Sequence, residues 1–253
     1  MSDARLQAEH LWVGYGHRVV VEDFSCAFRP GEVTVLLGRN GCGKSTLLRT
    51  LGGLLPALKG RVFLDGQDMA AYRPARRAQL LATLPQGRDV PDITARRLVL
   101  HGRFPYLAYP RRYGPAEQAL AEAALARVGI PELADRPLKR LSGGQRQKVY
   151  LAMLLCQDSP VMLLDEPTTY LDIGCQLETW QLCRDLAAQG RTVVAVSHDI
   201  GQSLRYGHRV LLVEQGRLRV DAGPQEAAAS GELERVFGVR IRPVDEDYLI
   251  IAP

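Results

Sequence analysis

Glu32–Thr46 reads EVTVLLGRNGCGKST, and its two halves follow different rules. EVTVLL is a short apolar run that stops at Gly38, the pattern of a strand buried on both faces of a parallel sheet. Gly38–Ser45 fits G-x-x-x-x-G-K-[ST], and from Gly43 onward Leu47, Leu48 and Leu51 share one helical face until Gly52-Gly53 breaks it. Strand, glycine-rich loop, helix is the context that this motif requires. Glycines let the backbone fold around phosphate oxygens, and the loop N–H groups and helix N-terminus supply positive potential. Gly38, Asn40, Gly41, Cys42, Gly43, Lys44, Ser45 and Thr46 are therefore candidate phosphate-binding residues. Lys44 would reach the β- and γ-phosphates and Ser45 a Mg²⁺ ion. A glycine-rich turn that only caps a helix is the plain alternative.

Further along, VMLLD at Val161–Asp165 is a second buried-strand run, and it delivers Asp165 to a strand's carboxyl end, where open α/β sheets bind ligands. Asp165 is a candidate Mg²⁺ residue. Glu166 beside it is a candidate for polarising an attacking water. TVVAVS at Thr192–Ser197 is a third run, and Gly60–Asp65 and Leu80–Leu84 read as further strands. Leu6–Phe28 alternates loosely and predicts short strands, while Gln215-Gly216 joins RVLLVE to RLRVDA as a hairpin. Helices are expected from Pro115 to Gly129 and over 142–157. Strands alternating with helices at both ends predict an α/β parallel sheet, with a helical insertion between about 87 and 158. The final VFGVRIRPVDEDYLIIAP reads as one or two closing strands packed on the core.

Composition sets the outer limits. At 253 residues, 46% apolar and 24% charged, the chain suits one large domain or two small ones and is not disordered. A net charge of +4 is too mild to imply nucleic acid by itself, so none is expected as a partner. The cysteines Cys26, Cys42, Cys156, Cys175 and Cys183 are scattered and never form C-x-x-C, which argues against a disulfide framework or zinc site and for a reducing compartment. Cys42, at a helix N-terminus beside Lys44, is expected to be a reactive thiol. MSDARLQAEH lacks the apolar core of a signal peptide, and the uncharged run Val149–Gln157 is far below the ~18 residues that span a bilayer. A soluble chain that meets a membrane only through a partner is expected.

Leu141–Gln145 reads LSGGQ. Ser142 and Gln145 make an S-x-x-Q capping box, and Gly143 and Gly144 allow close approach to the same helix N-terminus, which is equally an anion site. A P-loop kinase has no use for this second site.

The ordered set GRNGCGKST, Gln86, LSGGQ, VMLLDE, Tyr170-Leu171-Asp172 and His198 resembles the nucleotide-binding subunit of an ABC transporter, over about residues 6–230. The resemblance implies a P-loop NTPase core with a mainly parallel sheet, an N-terminal antiparallel β-subdomain and a helical insertion carrying LSGGQ. It implies one ABC ATPase domain, with 5–86 and 159–230 as nucleotide-binding core, 87–158 as helical subdomain and 231–253 as closing segment. It further implies a head-to-tail homodimer sandwiching two ATP molecules with Mg²⁺, the loop at 38–46 of one copy facing LSGGQ of the other. Gln86 matches the glutamine that senses Mg²⁺ and the attacking water. His198 matches the histidine that contacts the γ-phosphate, Tyr15 the aromatic that stacks on adenine, and Asp172 the loop residue that reaches across the dimer. Each also has a simpler role: strand-end Gln and His, a core aromatic with Trp12 nearby, and a helix-capping Asp.

DEPTTYLDI at 165–173, HGRFPY at 101–106 and VVAVSHDI at 193–200 are similar to the ATPases of ferric-siderophore, haem and cobalamin importers. That implies an energy-coupling ATPase bound to membrane permeases, peripheral on the cytoplasmic face, with a substrate-binding protein as an indirect partner. Nine arginines lie between Arg73 and Arg112. They keep open a soluble ABC-type ATPase outside transport, in nucleic-acid repair, translation or iron–sulfur assembly. HGRFPYLAYPRRY at 101–113 mixes aromatics with arginines, the residue types of interface cores, and is the expected permease-docking segment.

Overall fold

The computed structural model describes residues 4–84, 90–245 and 247–252. Where loose alternation predicts short strands, the chain opens with two long antiparallel ones, β1 (Leu6–Tyr15) and β2 (Arg18–Phe28). Register shifts after Ala8, Leu11 and Val13 keep the pair continuous; such bulges absorb breaks in the two-residue period. β3 (Val33–Leu37) and α1 (Lys44–Leu51) flank the glycine loop, followed by β4 (Lys59–Leu64), β5 (Gln67–Asp68), α2 (Pro74–Leu80) and β6 (Leu81–Leu84). A helical block comes next: α3 (Ala95–Leu100), a 3-10 turn over His101–Tyr106, α4 (Pro115–Arg127) and α5 (Gly143–Gln157). Ser142 is the cap of α5 and not its first residue.

The chain then returns to strand–helix alternation with β7 (Val161–Asp165), α6 (Ile173–Ala188), β8 (Thr192–Val196), α7 (Ile200–Tyr206), β9 (Arg209–Glu214) and β10 (Arg217–Ala222). It closes with α8 (Pro224–Ala229), α9 (Glu232–Phe237) and a hairpin of β11 (Arg240–Val244) and β12 (Asp247–Ile251). The expected closing strands are thus present, with a short helix ahead of them. Ile241, Tyr248 and Ile250 pack on the core, and Arg205 of α7 holds Asp247 at 2.5 Å.

Two sheets organise these elements. β2-β1-β4-β5 is antiparallel. The central sheet has order β10-β9-β3-β8-β7-β6, parallel throughout except for β10. Its inner strands β3, β8 and β7 are buried along their whole length because both faces are covered. Val33, Val35, Leu37, Met162, Leu164, Val193 and Ala195 point to the cluster under the helices. Their neighbours Leu36, Val161, Leu163, Val194 and Val196 point to the cluster beneath the antiparallel sheet. A one-residue slip would exchange the two sets, so register is strongly specified. Among the described residues, no helix is long and apolar enough to cross a membrane.

Arg209 ties the two sheets together. Its Nε and Nη2 donate to the Asp221 carboxylate at 2.5 and 2.6 Å, and its Nη1 donates to the Ala27 carbonyl of β2 at 2.5 Å. The Asp221 hydrogen bonds, opposed by burial, raise the guanidinium above its ordinary value. A lysine cannot reproduce this planar fork. Arg209→Lys is expected to lower unfolding free energy by about 1–3 kcal/mol, the scale of charge-assisted hydrogen bonds lost from a mostly buried site. Urea denaturation would measure it.

Candidate functional site

Parallel register brings three strand ends to one line. Leu36 of β3 lies opposite Val196 of β8, and Val196 lies opposite Asp165 of β7. Whatever follows these residues emerges on the same side: the glycine loop after β3, His198 after β8, and Glu166 after β7.

The loop's path depends on missing side chains. At Gly38 (φ 153°) a Cβ would lie 2.3 Å from the Val213 carbonyl oxygen, and at Gly43 (φ 105°) it would lie 2.5 Å from Val21 Cγ2. Both positions favour glycine, and the loop leads directly into the N-terminus of α1. Lys44 is buried, and its Nζ donates to the carbonyls of Gly38 at 2.7 Å and Arg39 at 3.1 Å. Cys42 Sγ lies 3.8 Å from the same ammonium. Ser45 Oγ donates to Asp165 Oδ1 at 2.9 Å, spanning the width of β8.

Glu166 takes a left-handed backbone, φ 52°, which costs a side-chain-bearing residue strain. That turn points its carboxylate sideways, where Oε1 meets His198 Nε2 and Oε2 accepts from Thr169 Oγ1 at 3.2 Å. Asn40, Gly41, Gly43, Lys44, Ser45, Thr46, Glu166 and His198 line one cleft of about 540 Å³, with Val20 of β2 at its wall. The cleft therefore unites the loop, the acid and the histidine named from sequence.

Other expected residues lie elsewhere. Tyr15 ends β1 opposite Arg18 at 49% exposure and is not among the residues described as lining the cleft. Its neighbour Trp12 carries the Lys59 ammonium 5.0 Å above its ring. Gln86 lies outside the described residues. Ser142 and Gln145 form the expected capping box: Ser142 Oγ accepts from the Gln145 amide at 3.2 Å, and Gln145 Oε1 accepts from the Ser142 amide at 3.0 Å. This helix start is not part of the cleft; it packs on the turn after Glu166. A Cβ on Gly143 would sit 3.3 Å from Tyr170 Cβ, and one on Gly144 would sit 3.2 Å from the Tyr170 carbonyl oxygen. Asp172 caps α6, accepting from the Cys175 amide at 2.8 Å. That hydrogen bond holds its carboxyl below the ordinary value.

Sequence reasoning missed Val20, Thr169, and Gln147, whose side chain donates to the Pro167 carbonyl at 2.8 Å. Only Thr169, three residues from Glu166, lies at a distance where a turn contact could be guessed.

The chemistry is that of phosphate binding. Loop N–H groups and Lys44 favour an anion, and the Ser45 hydroxyl and Asp165 carboxylate are hard oxygen donors suited to Mg²⁺. Among the described residues no group of three His, Cys, Asp or Glu forms a metal cage. Mg²⁺ at nucleotide sites takes one or two side chains and completes its shell from phosphate and water, so this pair fits it.

A strand-end phosphate loop, a fixed acid beside it and a second glycine-rich helix start together define an ABC-type ATPase. The chain belongs to the ABC transporter family, whose profile matches residues 21–169. It is similar to the ferric enterobactin transport ATP-binding protein FepC of Escherichia coli, 38% identical across 97% of this chain and 91% of that protein. The hemin import ATP-binding protein HmuV of Rhodococcus jostii is 39% identical over 95% of this chain and 82% of that one. Among solved structures, an inward-facing metal-chelate type ABC transporter superposes with TM-score 0.82 at 26% identity, covering 98% of this chain and 96% of that one.

The cysteines give the site a chemical test. Burial pushes the thiols of Cys26 and Cys183 up to about 12 and that of Cys156 to about 11. These three stay neutral thiols until pH approaches those values and should remain silent from pH 7 to 9. Cys42 and Cys175 are half-buried. A maleimide is expected to label only these two, with loss of ATPase activity tracking Cys42 because bulk there fills the phosphate loop. ATP should slow the inactivation and Cys42→Ser should abolish it, as activity and mass spectrometry would record.

Proposed function

We propose that this chain is the ATP-hydrolysing, energy-coupling subunit of an importer for a metal chelate such as a ferric siderophore, haem or cobalamin. The observation that carries the hydrolytic half is Glu166, clamped by His198 and Thr169 at the mouth of the phosphate-loop cleft. The similarity to ATP-binding proteins named for ferric enterobactin transport and for hemin and cobalamin import supports the transported class.

In this reading the loop amides and Lys44 bind the β- and γ-phosphates, exchanging Lys44's contacts to the Gly38 and Arg39 carbonyls for phosphate oxygens. Ser45 and Asp165 hold Mg²⁺, which neutralises phosphate charge when bound. Glu166 orients and polarises the attacking water, and His198, bonded to Glu166, stands where it can hold the γ-phosphate end. Gln86 senses the same water, and Tyr15 offers an aromatic face to adenine.

The LSGGQ helix start needs a second copy. It does not line its own cleft, and the turn beside it exposes Tyr170 at 82% and Ile173 at 74%. A head-to-tail homodimer would set Ser142, Gly143, Gly144 and Gln145 of one copy over the ATP of the other, with Asp172 at the seam. Residues 5–86 and 159–230 act as the nucleotide-binding core, 87–158 as the helical part and 231–253 as the closing segment. The subunit sits on the cytoplasmic face, held by permease subunits, and serves a substrate-binding protein indirectly.

Glu166→Gln is expected to reduce hydrolysis by about 10²–10⁴-fold, the range for general-base removal, while ATP binding persists and the ATP-bound dimer accumulates. Steady-state phosphate release with size-exclusion chromatography reads both, and near-normal turnover would overturn the assignment.

Permease docking is assigned to 101–113. Within it the aromatics divide their labour. Tyr106 is an anchor, its hydroxyl donating to the Gln157 carbonyl at 2.8 Å while Arg103 stacks on its ring at 3.9 Å. Tyr109 is 96% exposed, and Phe104, 46% exposed, carries Arg111 over its ring at 4.3 Å. Phe104→Ala with Tyr109→Ala should weaken co-purification with the permease by about tenfold or more, the effect of losing aromatic interface anchors. The isolated subunit should keep its thermal midpoint and ATP affinity. Unchanged assembly and transport would reject this surface.

A further inference from the structure

The turn that carries Asp172 and the helix that follows His198 are joined by a line of side-chain hydrogen bonds. It starts at Trp180, which is fully buried in α6 and whose Nε1 donates to Gln202 Oε1 at 2.6 Å. Gln202 Nε2 donates to Gln176 Oε1 at 2.9 Å. Gln176 Nε2 donates to the Leu171 carbonyl at 3.0 Å.

Side-chain amides are often ambiguous in orientation, but these two are fixed by what stands at each end. An indole N–H can only donate, and a backbone carbonyl can only accept. Gln202 must therefore turn its oxygen to Trp180 and its NH₂ to Gln176. Gln176 must in turn receive on its oxygen and donate to Leu171. Reversing either amide sets oxygen against oxygen or N–H against N–H.

Both ends are held by the chain itself. Gln202 lies in the first turn of α7, and its own amide donates to the Asp199 carboxylate at 2.9 Å, directly after His198. Gln176 lies in the first turn of α6, its amide donating to the Asp172 carbonyl at 2.9 Å. The line thus connects the start of α7, next to His198 in the chain, to the Tyr170–Asp172 turn that packs on Gly143 and Gly144.

We infer that Gln176 and Gln202 are positioning residues: they lock the His198 end of α7 to the Asp172 turn, so that the phosphate end of the cleft and the face offered to the second copy move as one unit. This rests on the proposed roles of Glu166, His198 and Asp172. Breaking the line leaves ATP binding to the loop intact but misplaces the groups that act on it.

The test uses the full chain with Gln202→Leu, Gln176→Leu and their double variant, beside His198→Ala and Glu166→Gln. Each single variant is expected to lower kcat about tenfold, the scale of one partly buried hydrogen bond broken with its partner left unpaired, with KM for ATP within about twofold, as uniform binding is untouched. The double variant should lose no more than the worse single one, because residues in one network are not additive. In a Trp12→Phe background Trp180 is the remaining tryptophan. Its emission should shift on ATP addition in the parent and not in Gln202→Leu.

If the Leu variants lose thermal stability but keep kcat, if their effects add, or if the emission shift survives Gln202→Leu, the inference is overturned. Folding is checked independently by the thermal midpoint, and Gln202→Glu, which keeps the acceptor for Trp180 but sets oxygen against Gln176, separates direction from volume. Normal turnover in His198→Ala and Glu166→Gln would overturn the functional reading itself. Inactive controls beside fully active Gln variants would overturn only the inference.

Discussion

The hydrogen bond from Ser45 to Asp165 depends on three strands in register. The donor starts a helix that follows β3, the acceptor ends β7, and β8 runs between them. A bond of 2.9 Å across that distance requires the parallel strands to finish level. Level finishing is set by the alternation that sends neighbouring residues to opposite clusters. Hydrophobic burial on two faces therefore does more than stabilise the sheet: it fixes where Asp165, Glu166, His198 and the glycine loop stand relative to one another.

Placement alone would leave Glu166 facing along the strand. The left-handed backbone at Glu166 turns it, and a second left-handed residue, Tyr170 at φ 69°, closes the turn against the LSGGQ helix. Strain at non-glycine residues persists when the surroundings over-determine it. Here His198, Thr169, Gln147 and the packing of Gly143 and Gly144 hold the turn in place. The glycines in LSGGQ thus have a use inside one copy, closeness to Tyr170.

Much of this was legible in the sequence, for reasons that also explain what was not. Strands buried on both faces announce themselves as apolar runs, so β3, β7 and β8 were readable, and the phosphate loop and capping box are defined by fixed spacings. α6 buries Thr179, Trp180, Cys183, Leu186 and Ala187 at helical spacing, but Thr179, Cys183 and Ala187 are polar or small, which hides the stripe. α2 and α3, of seven and six residues, are too short to display a period. The long β1–β2 ribbon broke its alternation at bulges. The turn after Glu166 carried no warning at all, because sequence reading expects Gly or Asn where the backbone is left-handed, and this chain uses Glu and Tyr.

A further consequence concerns coupling between the cleft and the surface around 101–113. Tyr106 reaches the carbonyl of Gln157, the last residue of α5, and Arg103 reaches that of Cys156 at 3.1 Å. The first residues of α5 are Gly143 and Gly144. One helix of fifteen residues therefore has the proposed docking segment fastened to its end and the LSGGQ capping box at its beginning. A helix is stiff along its axis, its interior held by backbone hydrogen bonds between residues four apart. Tyr106 and Ser142 therefore sit at the two ends of one stiff element. Tyr106, which bonds a carbonyl at this helix end, is then a structural fixing, while Tyr109 stays exposed. That division follows from which hydroxyls and guanidinium groups are already engaged within the chain.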